Sequence, residues 1–160
     1  MKVICVTGIP ATGKTTIAKK LAEKYHFQNF DVSRAVAKYR LAEGYDKKRK
    51  TKVIDTKKLN KFLINHISQL KADKKIRGII IDSHLSHYLP KKYVNLVVVT
   101  KCDIKELNKR LKKRRYSQDK IKENLQAEIF NICCNEAFEG KHKIIVIDTT
   151  KGFNINRIKI

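Results

Sequence analysis

The 160-residue chain predicts an α/β fold, a parallel β-sheet flanked by helices, on three observations. Short apolar runs at residues 3–6, 78–81, 96–99 and 144–147 alternate with longer segments of helical spacing, a pattern of strands buried on both faces and joined by helices. No tract rich in Pro, Gly or Ser divides the chain and no repeat is present, so residues 1–160 read as one domain. The first apolar run leads directly into Gly8-Ile-Pro-Ala-Thr-Gly-Lys-Thr-Thr16, a match to G-x-x-x-x-G-K-[ST], the nucleotide phosphate loop.

That loop needs these residues at this spacing. Gly8 and Gly13 open backbone conformations closed to other residues, so that successive N–H groups turn inward on a β-phosphate. Lys14 reaches the β- and γ-phosphates of ATP, and the Thr15 hydroxyl is placed to ligate the Mg²⁺ that accompanies it. Ala11 and Thr16 complete the set expected against the nucleotide. Thr16, Ile17, Ala18, Leu21, Ala22 and Tyr25 follow at helical spacing, so the loop ends at a helix N-terminus, whose partial positive charge also favours phosphate.

Further along, Asp31 to Ala42 predicts a second helix, capped by Asp31 or Ser33 and stopped by Gly44, and residues 45–52 read as a polar, basic loop. Asp55 or Thr56 caps a third helix with Leu59, Phe62, Leu63, Ile67 and Leu70 on one face. The strands at residues 78–82 and 96–99 follow. Asp103 caps a fourth helix, to about Lys112. One long helix is expected next, with Ile121, Leu125, Ile129, Ile132 and Cys133 on one side. A last strand at residues 144–147 precedes at most a short terminal helix. Ligand sites in such sheets lie at the carboxyl ends of the strands.

Lys and Arg number 37 against 15 Asp and Glu, a formal net charge of +22. So large an excess suits an anionic partner, and RNA would be one, through counterion release. A lysine-rich, solvated surface accounts for the number equally well. No apolar run approaches a membrane span or a signal segment, so the expectation is a soluble, cytoplasmic protein without a membrane partner. Cys5, Cys102, Cys133 and Cys134 lack C-x-x-C spacing and read as reduced core residues, not zinc ligands.

Asp82 closes a strand, where a phosphate-loop enzyme keeps the carboxylate that holds Mg²⁺. His84, two residues on, should face the same cleft if the segment stays extended, whereas His87 should not. The basic run Lys109 to Arg115 has the placement of a mobile flap. Arg110 and Arg114, four apart, can project from one helix side to neutralise charge on a transferred phosphoryl group.

Taken together, the phosphate loop, Gly44-Tyr45-Asp46, Ile81-Asp82-Ser83-His84 with Ser86-His87, Arg110 to Tyr116, Glu123-Asn124 and Glu128-Ile129 resemble the adenylate kinase isoenzyme six family in its archaeal form. The resemblance covers nearly the whole chain. It implies a P-loop nucleoside monophosphate kinase fold with a monophosphate-binding (NMP-binding) region near 31–54 and a lid near 113–123. It also implies adenylate kinase activity (ATP + AMP = 2 ADP) with broad specificity, ATP hydrolysis, and a role in small ribosomal subunit maturation through a platform ribosomal protein. Three positions depart from the family pattern. Ala11 replaces a loop glycine, which is harmless at negative φ. Arg115 replaces a lid glycine. Ala37 falls where many members have an arginine, for which Arg34, Lys38 or Arg40 could substitute.

Two functions follow. One is a kinase with Lys14, Asp82 and Arg114 as its catalytic residues and Thr15 and Asp82 positioning the metal; His84 is the further catalytic candidate, tied to hydrolysis. The other is an ATPase assembly factor in which His84 orients water. Another small-molecule kinase of the same fold shares the loop and remains a third alternative.

Overall fold

The structure is a computed structural model that describes residues 1–47 and 51–160. Five strands form one parallel sheet in the order β2-β5-β1-β6-β7: β1 (Lys2–Gly8), β2 (Gln28–Asp31), β5 (Gly78–Asp82), β6 (Leu96–Lys101) and β7 (Ile144–Asp148). The phosphate-loop strand is therefore the middle one. Alternation along the strands sorts the core onto two faces. Val3, Cys5, Ile79, Ile81, Val97 and Val99 pack against α3 (Thr56–Ala72), α4 (Ile104–Lys113), α5 (Gln118–Ile129) and α6 (Ile132–Glu139). Ile4, Val6, Ile80, Leu96, Val98 and Ile147 pack against α1 (Lys14–Tyr25). Cys5 lies wholly within this core, where burial pushes its thiol up to about 12; all four cysteines are free.

Most predicted helix starts hold. Asp55 accepts from the Lys57 and Lys58 amides at 2.6 and 3.2 Å, and Asp103 accepts from Lys105 and Glu106 at 2.9 and 3.2 Å, each satisfying amides that lack intrahelical partners. Asp31 caps α2 (Val32–Lys38) and Ser117 caps α5 in the same way.

Three expectations need correction. The second helix ends at Lys38, not Ala42, because Arg40 enters the left-handed region at φ 51° and Leu41 N–H closes the end onto Val36 O at 3.1 Å. In place of a loop, β3 (Ala42–Asp46) and β4 (Thr51–Ile54) form an antiparallel ribbon; residues 48–50 of the expected loop lie outside the described residues. The single long helix after the basic run is two, α5 and α6, broken where Asn131 takes φ 53°. In consequence Ile129 and Ile132 stay 57% and 39% exposed instead of joining one buried stripe. The terminal segment is only a 3₁₀ turn, Ile155–Arg157, tied back when Lys24 Nζ and Tyr25 OH donate to Ile158 O at 2.8 and 2.7 Å. Among the described residues no helix is long and apolar enough to cross a membrane.

Candidate active site

Strand β1 delivers Gly8 into the loop, and no other residue fits there. Its φ is 139°, and a Cβ would stand 2.4 Å from both the Thr100 carbonyl and hydroxyl oxygens. Gly13 takes φ 88° and begins α1 without a side-chain cap. Between them, Ala11 is buried with φ 70°. The negative φ on which its replacement of glycine was to be harmless is not what this backbone adopts, so the methyl group is carried in the left-handed region. Threonines pin the loop from below. Thr12 Oγ1 donates to Ile9 O at 2.7 Å and lies 2.6 Å from Thr100 Oγ1, while Thr149 Oγ1 donates to Thr12 O at 2.7 Å.

Lys14 curls over the loop and donates from Nζ to Ile9 O at 3.0 Å. Burial lowers its pKa to about 8, a shift that the Asp82 carboxylate opposes and the Arg114 guanidinium reinforces. Asp82, buried at the end of β5, is raised by desolvation, while a hydrogen bond from the Thr15 hydroxyl and the Lys14 charge pull the other way. Asp31, its register partner on β2, adds repulsion. Asp82 and Thr15 thus form one polar contact beside the lysine.

These groups line a cleft of about 340 Å³, together with Gly13, Thr16, Ser83, His84 and Arg114. His84 reaches the cleft, although not along an extended segment: the chain turns after Ser83, whose carbonyl accepts from Ser86 N–H at 3.2 Å. By area His84 is exposed, yet protein atoms crowd around its ring. That desolvation, helped by Lys14, lowers its pKa to about 4 and leaves the imidazole neutral. His87 points elsewhere, as expected, and is buried.

The two arginines part company. Arg114, at the C-terminus of α4, lines the cleft. Arg110 instead donates from Nε to Glu106 at 2.9 Å and from Nη2 to Thr149 O and Thr150 O at 3.0 and 3.2 Å. It braces the segment that packs over Gly13, where Thr149 Oγ1 is 3.5 Å from the position of a Cβ. At the turn after Arg114, Arg115 itself adopts φ 56°, so the conformation a glycine would take is kept by an arginine.

A second cavity of about 430 Å³ opens between α1 and α2, lined among others by Lys19, Phe30, Arg34, Lys38 and Tyr39. It shares Thr15 and Asp31 with the first. The sequence placed neither Asp31, beyond its opening the monophosphate region, nor the Thr149–Thr150 segment beside this cleft. Asp31 was legible as a cap, but the strand that aims it was not; Thr149 carries no motif and is found only through the fold.

Residues 4–131 match the family model described as AAA domain. The chain is 38% identical over 143 residues to the adenylate kinase isoenzyme 6 homolog of Caenorhabditis elegans, covering 89% of this chain and 76% of that protein. It is 37% identical over 145 residues to the adenylate kinase isoenzyme 6 homolog of Schizosaccharomyces pombe, with 91% and 79% covered. Among solved structures, the YorR protein of Bacillus subtilis in complex with phosphorylated GDP superposes with a TM-score of 0.59 at 15% identity, over 97% of this chain and 90% of that one, a likeness of fold. By this sequence similarity, set on a phosphate loop with Asp82, His84 and Arg114 around it, the chain belongs to the adenylate kinase isoenzyme 6 family of AAA-domain proteins.

Proposed function

We propose that this phosphotransferase moves the γ-phosphoryl group of ATP to a nucleoside monophosphate, AMP by preference, as the names of its relatives suggest. The observation that carries the reading is the meeting of the two cavities at Thr15 and Asp31. A donor in the phosphate loop and an acceptor held over α2 would face each other across that wall, which is the positioning that phosphoryl transfer chiefly requires. Lys14 and the open amides at the start of α1 would hold the ATP phosphates, and Arg114 would offset charge on the group in flight. Arg34 and Lys38 would receive the acceptor phosphate. We assign the acceptor region to residues 31–54, of which 48–50 lie outside the described residues, and the lid to 113–123 within a single domain 1–160.

Thr15 and Asp82 offer hard oxygen donors of the kind Mg²⁺ takes. Among the described residues no cluster of three or more His, Cys, Asp or Glu could hold a metal by itself. That fits a cation that completes its shell with nucleotide phosphates. Such an ion supplies charge neutralisation at the β- and γ-oxygens.

A second reading, ATP hydrolysis, is favoured by the neutral ring of His84, able to accept a hydrogen bond from water. The +22 charge favours RNA contact, and with it the ribosomal subunit role that the family resemblance implies.

ADP formation measured with ATP alone, then with AMP, CMP, GMP and UMP in turn, tests both readings. The expected result is turnover that rises most with AMP. A rate indifferent to every monophosphate would overturn the kinase reading. His84→Ala should lower hydrolysis by about a hundredfold and transfer to AMP much less, since AMP brings its own nucleophile. Equal losses would remove the hydrolytic role.

A further inference from the structure

Behind the cleft a chain of hydrogen-bonded side chains, buried at Thr7 and His87, joins β1 to the surface of α6, and none of its members lines the nucleotide cavities. Thr7, the residue before Gly8, is fully buried, and its Oγ1 is 2.7 Å from His87 Nδ1. The opposite ring nitrogen, Nε2, is 2.9 Å from Glu136 Oε2. Tyr88 OH donates to the other carboxylate oxygen at 2.7 Å, and a ring nitrogen of His142 lies 3.0 Å from the His87 carbonyl oxygen. The Thr7 hydroxyl also stands 3.4 Å from the His84 carbonyl oxygen.

We propose that His87 is a positioning residue, which holds the turn bearing His84 in register with the start of the phosphate loop by joining the Thr7 hydroxyl to Glu136. The inference rests on the kinase reading above. Its logic is a count of protons. Thr7 has one to give, and the nearer acceptor is Nδ1, not the His84 carbonyl. Nδ1 can accept only if the ring proton is on Nε2, and there the Glu136 carboxylate takes it. Every donor then has an acceptor along one line from β1 to α6. Burial lowers the His87 pKa, against the pull of Glu136, which favours the neutral ring this line requires. Ser83 and Ser86 fasten the same turn, since Ser86 Oγ lies 2.8 Å from Ser83 O and 3.2 Å from Val6 O. Ser83 and His84 are the part of that turn which lines the cleft. Small displacements of a positioning group lower turnover without removing a substrate contact.

The amides of Asn and Gln separate the two nitrogens. Asn places an oxygen near the site of Nδ1 and can still accept from Thr7, whereas Gln places its amide near Nε2 and can still reach Glu136. Steady-state kinetics with ATP and AMP would be run on Thr7→Val, His87→Gln, His87→Asn and the Thr7→Val/His87→Gln double variant. Thr7→Val and His87→Gln should each lower kcat about tenfold while both KM values stay within about twofold. The double variant should be no slower than the slower single, and His87→Asn should recover most of the rate. Thr7→Val keeps the side-chain volume, so it decides the matter even if a His87 variant does not fold. Unchanged kcat in Thr7→Val, or losses that multiply in the double variant, would overturn the proposal. Long-range ¹H–¹⁵N spectra of the wild type provide a readout free of turnover, with the His87 proton expected on Nε2. A proton on Nδ1 would overturn the relay even in an active enzyme. Absent kinase activity with the Nε2 tautomer present would instead remove the kinase reading and leave the relay standing.

Discussion

Lys14 carries a conflict that nucleotide binding can resolve. Its ammonium is desolvated in the free protein, which brings its pKa from the usual 10.5 down to about 8. Polyphosphate favours the charged form, so between about pH 8 and 10 the free site lacks part of a proton that the complex demands. ATP binding at pH 9 should therefore take up protons, seen as a dependence of calorimetric heat on the ionisation enthalpy of the buffer. The uptake should vanish in Lys14→Met. No uptake in the wild type would mean that the free lysine is already fully charged. The residue itself was plain in the sequence, since the loop is contiguous and its chemistry depends on order alone. Arg110 was not, because spacing of four gives the side of a helix that a residue occupies but not what it meets there. Here it meets the carbonyls of Thr149 and Thr150, forty residues on. Ala11 shows the same limit in the backbone: the sequence left the sign of its φ open, and the fold imposes φ 70°.

Helices with a carboxylate at the start and regular apolar spacing, α3 and α4 above all, could be read from the sequence because cap and stripe agree. Strand β2 could not, being four residues long with Gln28 and Asn29 exposed at the sheet edge. Missing it hid the pairing of Asp31 with Asp82. The break between α5 and α6 was hidden for another reason: the apolar spacing continues across a single left-handed residue, so periodicity passes over it. That residue, Asn131, also accepts from Lys101 Nζ. Comparing Asn131→Val with Asn131→Gly removes this bond in both and isolates the backbone. The valine variant should be less stable than the glycine variant by about 1–2 kcal/mol in denaturant unfolding. Equal stabilities would show that the corner relaxes out of the left-handed conformation.

At the scale of the whole molecule, sheet order explains how distant segments reach one cleft. With β1 central, β5 beside it brings Asp82 and His84, β2 beyond brings Asp31, and α4 after β6 returns Arg114. The surplus charge lies outside that design. Lys112 and Lys113 are exposed at the end of α4, and, if the positive surface is used for RNA, reversing both to Glu should weaken binding to ribosomal RNA and flatten its salt dependence while leaving AMP phosphorylation nearly unchanged. No RNA affinity in the wild type at low salt would assign the charge to composition. One contrast among the helices reaches furthest. Side chains cap α2, α3, α4 and α5, whereas α1 and α6 start without a side-chain cap, and of these two α1 is the one whose first turn lines the cleft. The helix that faces the cleft is thus left unfinished, and on the kinase reading a nucleotide's phosphate is the group that would finish it. On that reading its ligand would then also be a missing piece of the protein's architecture. ATP at a hundred times its Kd should add about 2.7 kcal/mol to stability, with amide exchange slowed most at residues 14–17; protection spread evenly over the chain would deny the loop that part.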